Sequence, residues 1–110
     1  MRPRLSILPA ALLLVPLLSA PALADPAVDA QCRTKGITLQ GRVQVVTHSA
    51  DLRVKVVDAS PDLKVRAVGR DANTCGRWQL VSNHPDFTIE YVDSSPDLTI
   101  QFVDQFPGRP

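Results

Sequence analysis

The sequence is poor in cysteine, glycine and aromatic residues: its 110 residues include two cysteines, five glycines, one Trp, one Tyr and three Phe. Calcium-binding β-repeats need many glycines, so this composition argues against that class. The net charge of +1 excludes a strongly basic nucleic-acid-binding domain. No apolar run long enough for a transmembrane span remains after residue 24. The length allows one domain at most, which excludes a multidomain enzyme.

The first residues have the pattern of a secretory signal peptide. Arg2 and Arg4 precede an apolar stretch over residues 5–18, and Ala22-Leu23-Ala24 ends it. A positive start, an apolar centre and a small-residue end are typical of such a leader. We therefore expect residues 1–24 to be removed, residues 25–31 to form a short N-terminal segment, and residues 32–110 to form the domain. The protein would then be exported, either periplasmic or secreted.

Export gives a role to the two cysteines, Cys32 and Cys75. A disulfide is the default for such a pair in an oxidising compartment. The bridge would close a loop of about 44 residues, which chain-entropy arithmetic values at about 4 kcal/mol. The absence of a Cys-x-x-Cys motif argues against a redox role. A zinc site is not expected either, because it would need more ligands than the two cysteines and the two histidines offer.

An apolar pair recurs along the chain wherever the alternation of apolar and polar residues breaks. The six pairs are Val45-Val46, Val56-Val57, Ala67-Val68, Leu80-Val81, Tyr91-Val92 and Phe102-Val103. They are 11 residues apart, except for one spacing of 13 between the third and the fourth pair. Pro or Ala follows each pair after four positions, and Asp, Asn or Gly comes next; these residues suit tight turns. The sequence therefore predicts six strand-turn units.

Between the turns, apolar and polar residues alternate with a period of two. Leu52, Val54 and Val56 are apolar, for example, whereas Arg53 and Lys55 between them are charged. This alternation is typical of half-buried strands. The predicted fold class is all-β: six tandem units of about 11 residues in two sets of three, with one disulfide.

The 13-residue spacing separates two halves of opposite charge. Residues 33–77 contain nine basic and four acidic residues, and residues 78–110 contain one basic and five acidic residues. All the aromatic residues lie in the second half. Since cross-strand pairs of opposite sign stabilise a sheet, we expect the two halves to face or pair with each other.

Three stretches of the chain carry a family resemblance: VKVVDASPDLKV, CGRWQLV and FTIEYVDSSPDLTIQFVDQFPG. They resemble the 7(1) septoil knot domain family, from about Cys32 to Gly108. The resemblance implies a small β-rich domain whose chain is threaded into a complex knot. It implies no activity, cofactor or site residue.

The turns also contain residues that catalysis or metal binding would use. We interpret the recurring aspartates as turn caps, because a calcium site needs several oxygens converging on one ion. His48 and His84 occupy nearly equivalent turns, and we interpret them as exposed turn residues. Trp78, close to Cys75, is predicted to be a core residue. The sequence therefore predicts no catalytic residue, no metal site and no cofactor.

The best candidate for a binding site is a set of four basic residues on neighbouring units: Arg53, Lys55, Lys64 and Arg66. If they share one solvent face, that face would attract phosphate, sulfate or acidic polysaccharide. One alternative is that Glu90 and the aspartates of the second half compensate this charge, and another is that the residues form a plain solvated face of the sheet. Nucleic acid is not expected, because the basic half has no aromatic residue for stacking.

These observations lead to three functional hypotheses. The first is an exported, non-enzymatic structural or binding module whose partner is an anionic glycan or an envelope protein. The second is a small exported inhibitor or binder of an enzyme that uses the Pro-Asp turns as contact loops. The third is a small hydrolase that uses the histidines and aspartates.

Overall fold

The computed structural model describes residues 26–110, so the predicted signal peptide lies outside the described residues. These residues form eight strands and no helix. The strands are β1 (Arg33–Thr34), β2 (Ile37–Thr38), β3 (Gly41–Val45), β4 (Leu52–Val56), β5 (Leu63–Ala67), β6 (Arg77–Leu80), β7 (Phe87–Tyr91) and β8 (Leu98–Phe102). The all-β prediction and its six strand-turn units are confirmed, and the short β1–β2 hairpin is an addition.

The six longer strands close into a barrel in the order β3-β6-β5-β8-β4-β7, and all neighbours are parallel. This order alternates strictly between the two halves of the chain. Every pairing in the barrel joins one strand of β3–β5 to one strand of β6–β8. The expectation that the two halves pair with each other is therefore confirmed.

Short connectors can join parallel strands here because the strands are strongly staggered. Val45 at the end of β3 and Leu52 at the start of β4 both pair with Ile89 of β7. The connector over residues 46–51 therefore spans only two strand spacings, about 10 Å. A parallel connection ordinarily needs a dozen or more residues to return along the whole strand.

Each step along the chain moves two positions around the barrel and skips one strand. The exception follows β5, where another step of two would reach the position that β3 already occupies. The additional residues of the 13-residue spacing return the chain to the gap between β5 and β3, where it forms β6. The second half then fills the gaps that the first half left open.

The centre of the barrel is filled by the middle inward residue of each strand. These side chains have no accessible surface: Val43, Val54, Val65, Trp78, Ile89 and Ile100. The first inward residues of four strands form a second buried layer: Leu52, Leu63, Phe87 and Leu98. Trp78 packs edge-on against Phe87 at 5.6 Å between ring centroids, which confirms its core assignment.

The N-terminal end of the barrel is closed by the segment that precedes β3. Val28, Cys32 and Leu39 of that segment are buried in the same cluster as the barrel residues. Cys32 forms the predicted disulfide with Cys75, with 5.9 Å between the Cα atoms. Trp78 donates its indole N–H to the carbonyl of Leu39 at 3.1 Å. The segment is therefore a plug that is bonded to both the wall and the core.

The C-terminal end of the barrel carries a ring of apolar side chains that are only half covered. We define the apolar rim as the last residue of each barrel strand: Val45, Val56, Ala67, Leu80, Tyr91 and Phe102. The five larger members are 41–46% exposed. The two ends of the barrel therefore differ: one is closed by the plug and the other is open.

Candidate functional site

The structure places the four predicted anion-binding residues on two strands that are not adjacent. Arg53 and Lys55 lie on β4, and Lys64 and Arg66 lie on β5. All four alternate with the inward-facing apolar residues of their strands and therefore point outward. Strand β8 runs between them, so the two pairs are separated by about 10 Å. We call the outer surface of β4, β8 and β5 the cationic face.

The connector between β4 and β5, residues 57–62, passes over the outside of β8. Gln101 of β8 donates its side-chain N–H to the carbonyl of Asp58 in this connector at 3.0 Å. Farther along, Asp62 accepts the backbone N–H of Thr99 at 2.8 Å. The cationic face is therefore two ridges of positive charge with a polar connector between them, and not one flat patch.

The four cations have no carboxylate partner within the described part of the chain. Three ion pairs occur among residues 26–110, and they join Arg33 to Asp29, Lys35 to Asp97 and Arg70 to Asp71. None of these pairs involves the cationic face. Arg53 lies directly opposite Glu90 of β7, which partly offsets its charge. The other three cations have no acidic residue directly opposite them on a neighbouring strand, so their charges are available to a ligand.

Arg77 is a basic residue that the sequence reasoning left out of the cationic set. It lies on β6 directly opposite Arg66 of β5, so two like charges face each other across neighbouring strands. Its Nε atom is buried and has no hydrogen-bond partner in the described structure. The sequence could have shown that Arg77 points outward, because it alternates with the core residue Trp78. It could not have shown that Arg77 lies beside Arg66, because the adjacency of β5 and β6 depends on the break in the repeat.

The recurring aspartates hold neighbouring strands together where the connectors end. Asp51 accepts the backbone N–H of Thr88, and Thr88 Oγ1 in turn accepts the backbone N–H of Asp51, both at 2.9 Å. Asp86 accepts the backbone N–H of Arg42 at 2.8 Å, and Asp97 accepts that of Arg53 at 2.7 Å. The acceptor role matches the capping interpretation, but the donors lie in the opposite half of the chain and not in the same turn.

Asp97 has the most distinctive electrostatic environment of these aspartates. Burial by itself raises its pKa, but the backbone N–H of Arg53 and the ammonium of Lys35, 3.1 Å away, outweigh that effect. The pKa of Asp97 is therefore lowered. Its carboxylate is committed to structural bonds at the N-terminal end of β8.

The histidines are exposed in the connectors that precede β4 and β7. His84 contributes its backbone carbonyl to Arg42, whose guanidinium donates to it at 2.6 Å. Among residues 26–110 no group of three or more His, Cys, Asp or Glu side chains is placed to hold a metal ion. The same residues contain no helix long and apolar enough to cross a membrane.

One shallow groove of about 390 Å³ joins the cationic face to the apolar rim. It is lined by Arg66 and Ala67 of β5, by Phe102, and by Val103 and Asp104 after β8. Tyr91 lies elsewhere on the rim, and partial burial raises the pKa of its phenol. The apolar rim was not predicted as a site, although its residues are the first members of the apolar pairs.

Comparison with known sequences agrees with this architecture. No curated protein matches the chain. The sequence model of one family, described as the 7(1) septoil knot domain, matches residues 36–110. This match spans all six barrel strands and more than half of the chain, so the protein belongs to the 7(1) septoil knot domain family.

Proposed function

We propose that the protein is an exported, non-enzymatic binding module that holds an anionic glycan of the cell envelope on its cationic face. The observation that supports this most directly is the set of four outward cations without a carboxylate partner in the described residues. Two ridges about 10 Å apart suit a polymer with repeated negative charges better than a single small anion.

The other hypotheses have less structural support. An inhibitor that uses Pro-Asp turns would need those aspartates free, yet Asp62, Asp86 and Asp97 bond to neighbouring strands. Pro61, in the turn before β5, is buried. A hydrolase would need a nucleophile and an oriented base, whereas the histidines lie in exposed turns.

The proposal is tested with protein recovered from the envelope or the medium, whose N-terminal residue should be Asp25. Retention on immobilised dextran sulfate and polygalacturonate should weaken as salt is added, because the contacts are exposed charges. Replacing Arg53, Lys55, Lys64 and Arg66 together by Ser should weaken binding by roughly 30-fold, at about 0.5 kcal/mol for each contact.

A matched pair of variants separates the site from overall charge. Lys55→Ser with Arg66→Ser removes two charges from the cationic face. Arg33→Ser with Arg70→Ser removes two charges that are already paired with nearby aspartates. Only the first pair should weaken retention. Equal effects of the two pairs, or unchanged retention of the fourfold variant, would refute the cationic face as the binding site.

A further inference from the structure

The apolar rim exposes several large apolar side chains at the open end of the barrel. Val56 and Leu80 are each 46% exposed, and Tyr91 is 43% exposed. The fully buried middle layer beneath them already fills the centre of the barrel. A valine follows every rim residue and is itself partly exposed, so the end of the barrel has two concentric apolar rings. Neither ring contains a charged residue.

The size of this surface indicates what could cover it. The exposed fractions of the five larger rim residues correspond to roughly 450 Å² of surface, within the range of the largest patch on a typical monomer. Two such surfaces in contact would bury roughly 900 Å², which is the size of a weak and reversible interface. The rim side chains themselves are uncharged and need no complementary charge on a partner, so an identical rim fits them.

We propose that the occupant of the apolar rim is the rim of a second copy of this chain, which makes a coaxial dimer of two barrels. The opposite end of each barrel is closed by the plug over residues 26–40, so stacking cannot continue there. The contact is therefore isologous and closed, and it produces a dimer and not a filament. The cationic faces remain on the outside of the dimer.

The dimer is tested by sedimentation velocity on the purified, disulfide-bonded protein from low micromolar to submillimolar concentration. We expect a reversible monomer–dimer equilibrium that added salt does not weaken, because the contact is apolar. Val56→Lys places a charge on the rim and should weaken the dimer at least tenfold. The matched control is Phe106→Lys: Phe106 is 84% exposed but lies in the connector after β8, so this variant should dimerise normally.

The titration of Tyr91 and binding to lipid vesicles provide two further tests of the dimer. Tyr91 is the only tyrosine, so absorbance reports its titration, and its pKa should rise further with protein concentration in the wild type but not in Val56→Lys. A monomer at every concentration, or a dimer that Val56→Lys leaves intact, would overturn the proposal. Binding of a monomer to phosphatidylcholine vesicles that Val56→Lys abolishes would also overturn it, in favour of a lipid surface.

Discussion

One residue in every unit adopts a left-handed backbone conformation, immediately before the turn Pro or its equivalent. These residues have φ between 51° and 60°: Ser49, Ser60, Asp71, His84, Ser95 and Phe106. Such a conformation is unfavourable for residues other than glycine, by about 1 kcal/mol each. It persists because the next residues are bonded to a strand of the other half, as Asp97 is to Arg53. The turn residues therefore serve long-range pairing as well as local chain reversal.

The lowered pKa of Asp97 predicts that its contribution to the stability of the protein depends on pH. Its folded pKa is lowered, so its stabilising effect is present above the unfolded value, near 4, and is lost as the pH falls through the folded pKa. Asp97→Asn should destabilise the protein by about 1 kcal/mol at neutral pH, and the difference should shrink as the pH falls through the folded pKa of Asp97. Urea unfolding followed by the fluorescence of Trp78, the single tryptophan, measures both values.

The control for this prediction is Asp104→Asn, which changes an exposed aspartate in the connector after β8. It should leave the stability at neutral pH nearly unchanged. If Asp97→Asn is as stable as the wild type at neutral pH, the bonds to Arg53 and Lys35 contribute no net stability.

Among the elements, the plug lies outside the 11-residue repeat, and the disulfide attaches it covalently to the segment before β6. It has only the two-residue strands β1 and β2, which pair with each other and not with a barrel strand. Gly76, beside the bridge, donates its N–H to the Leu39 carbonyl at 2.9 Å. A side chain at Gly76 would collide with the backbone of Lys64 and Gly108, and its φ of 86° is left-handed, so glycine is required here. The disulfide, the plug and the start of β6 form one junction.

Removing the disulfide should therefore loosen the plug as well as lengthen the unfolded chain. Cys32→Ser combined with Cys75→Ser should lower the free energy of unfolding by about 2–4 kcal/mol. Urea unfolding of the double variant, compared with the wild type before and after reduction, measures the loss. The reduced wild type should match the double variant. An unchanged midpoint would mean that the hydrogen bonds and the apolar contacts hold the plug without the bridge.

At the scale of the whole molecule, the repeat is interleaved and not stacked. In a solenoid each unit packs on the next, but here Ile89 of β7 pairs with Val45 and Leu52, which belong to distant units. Periodicity predicted the strands and their buried faces because both are local properties. It did not predict that β5 and β6 are adjacent, that β8 separates the basic strands, or that one end stays open, because these depend on closure. The knot that the family implies stays a prediction.

Interleaving predicts that neither half of the chain folds alone. Cutting between Gly76 and Arg77 leaves β3, β4 and β5 in one peptide and β6, β7 and β8 in the other. No two strands of either set are neighbours in the barrel, so each peptide loses every hydrogen bond between barrel strands. The peptide of residues 26–76 keeps both cysteines and can form their disulfide, so loss of the bridge would not explain its unfolding.

Far-UV circular dichroism of each peptide should show no strand spectrum and no cooperative transition. The intact chain should unfold in one transition that coincides by circular dichroism and by Trp78 fluorescence. Independent cooperative unfolding of either peptide would contradict the interleaved barrel, because it requires strand pairing within one half.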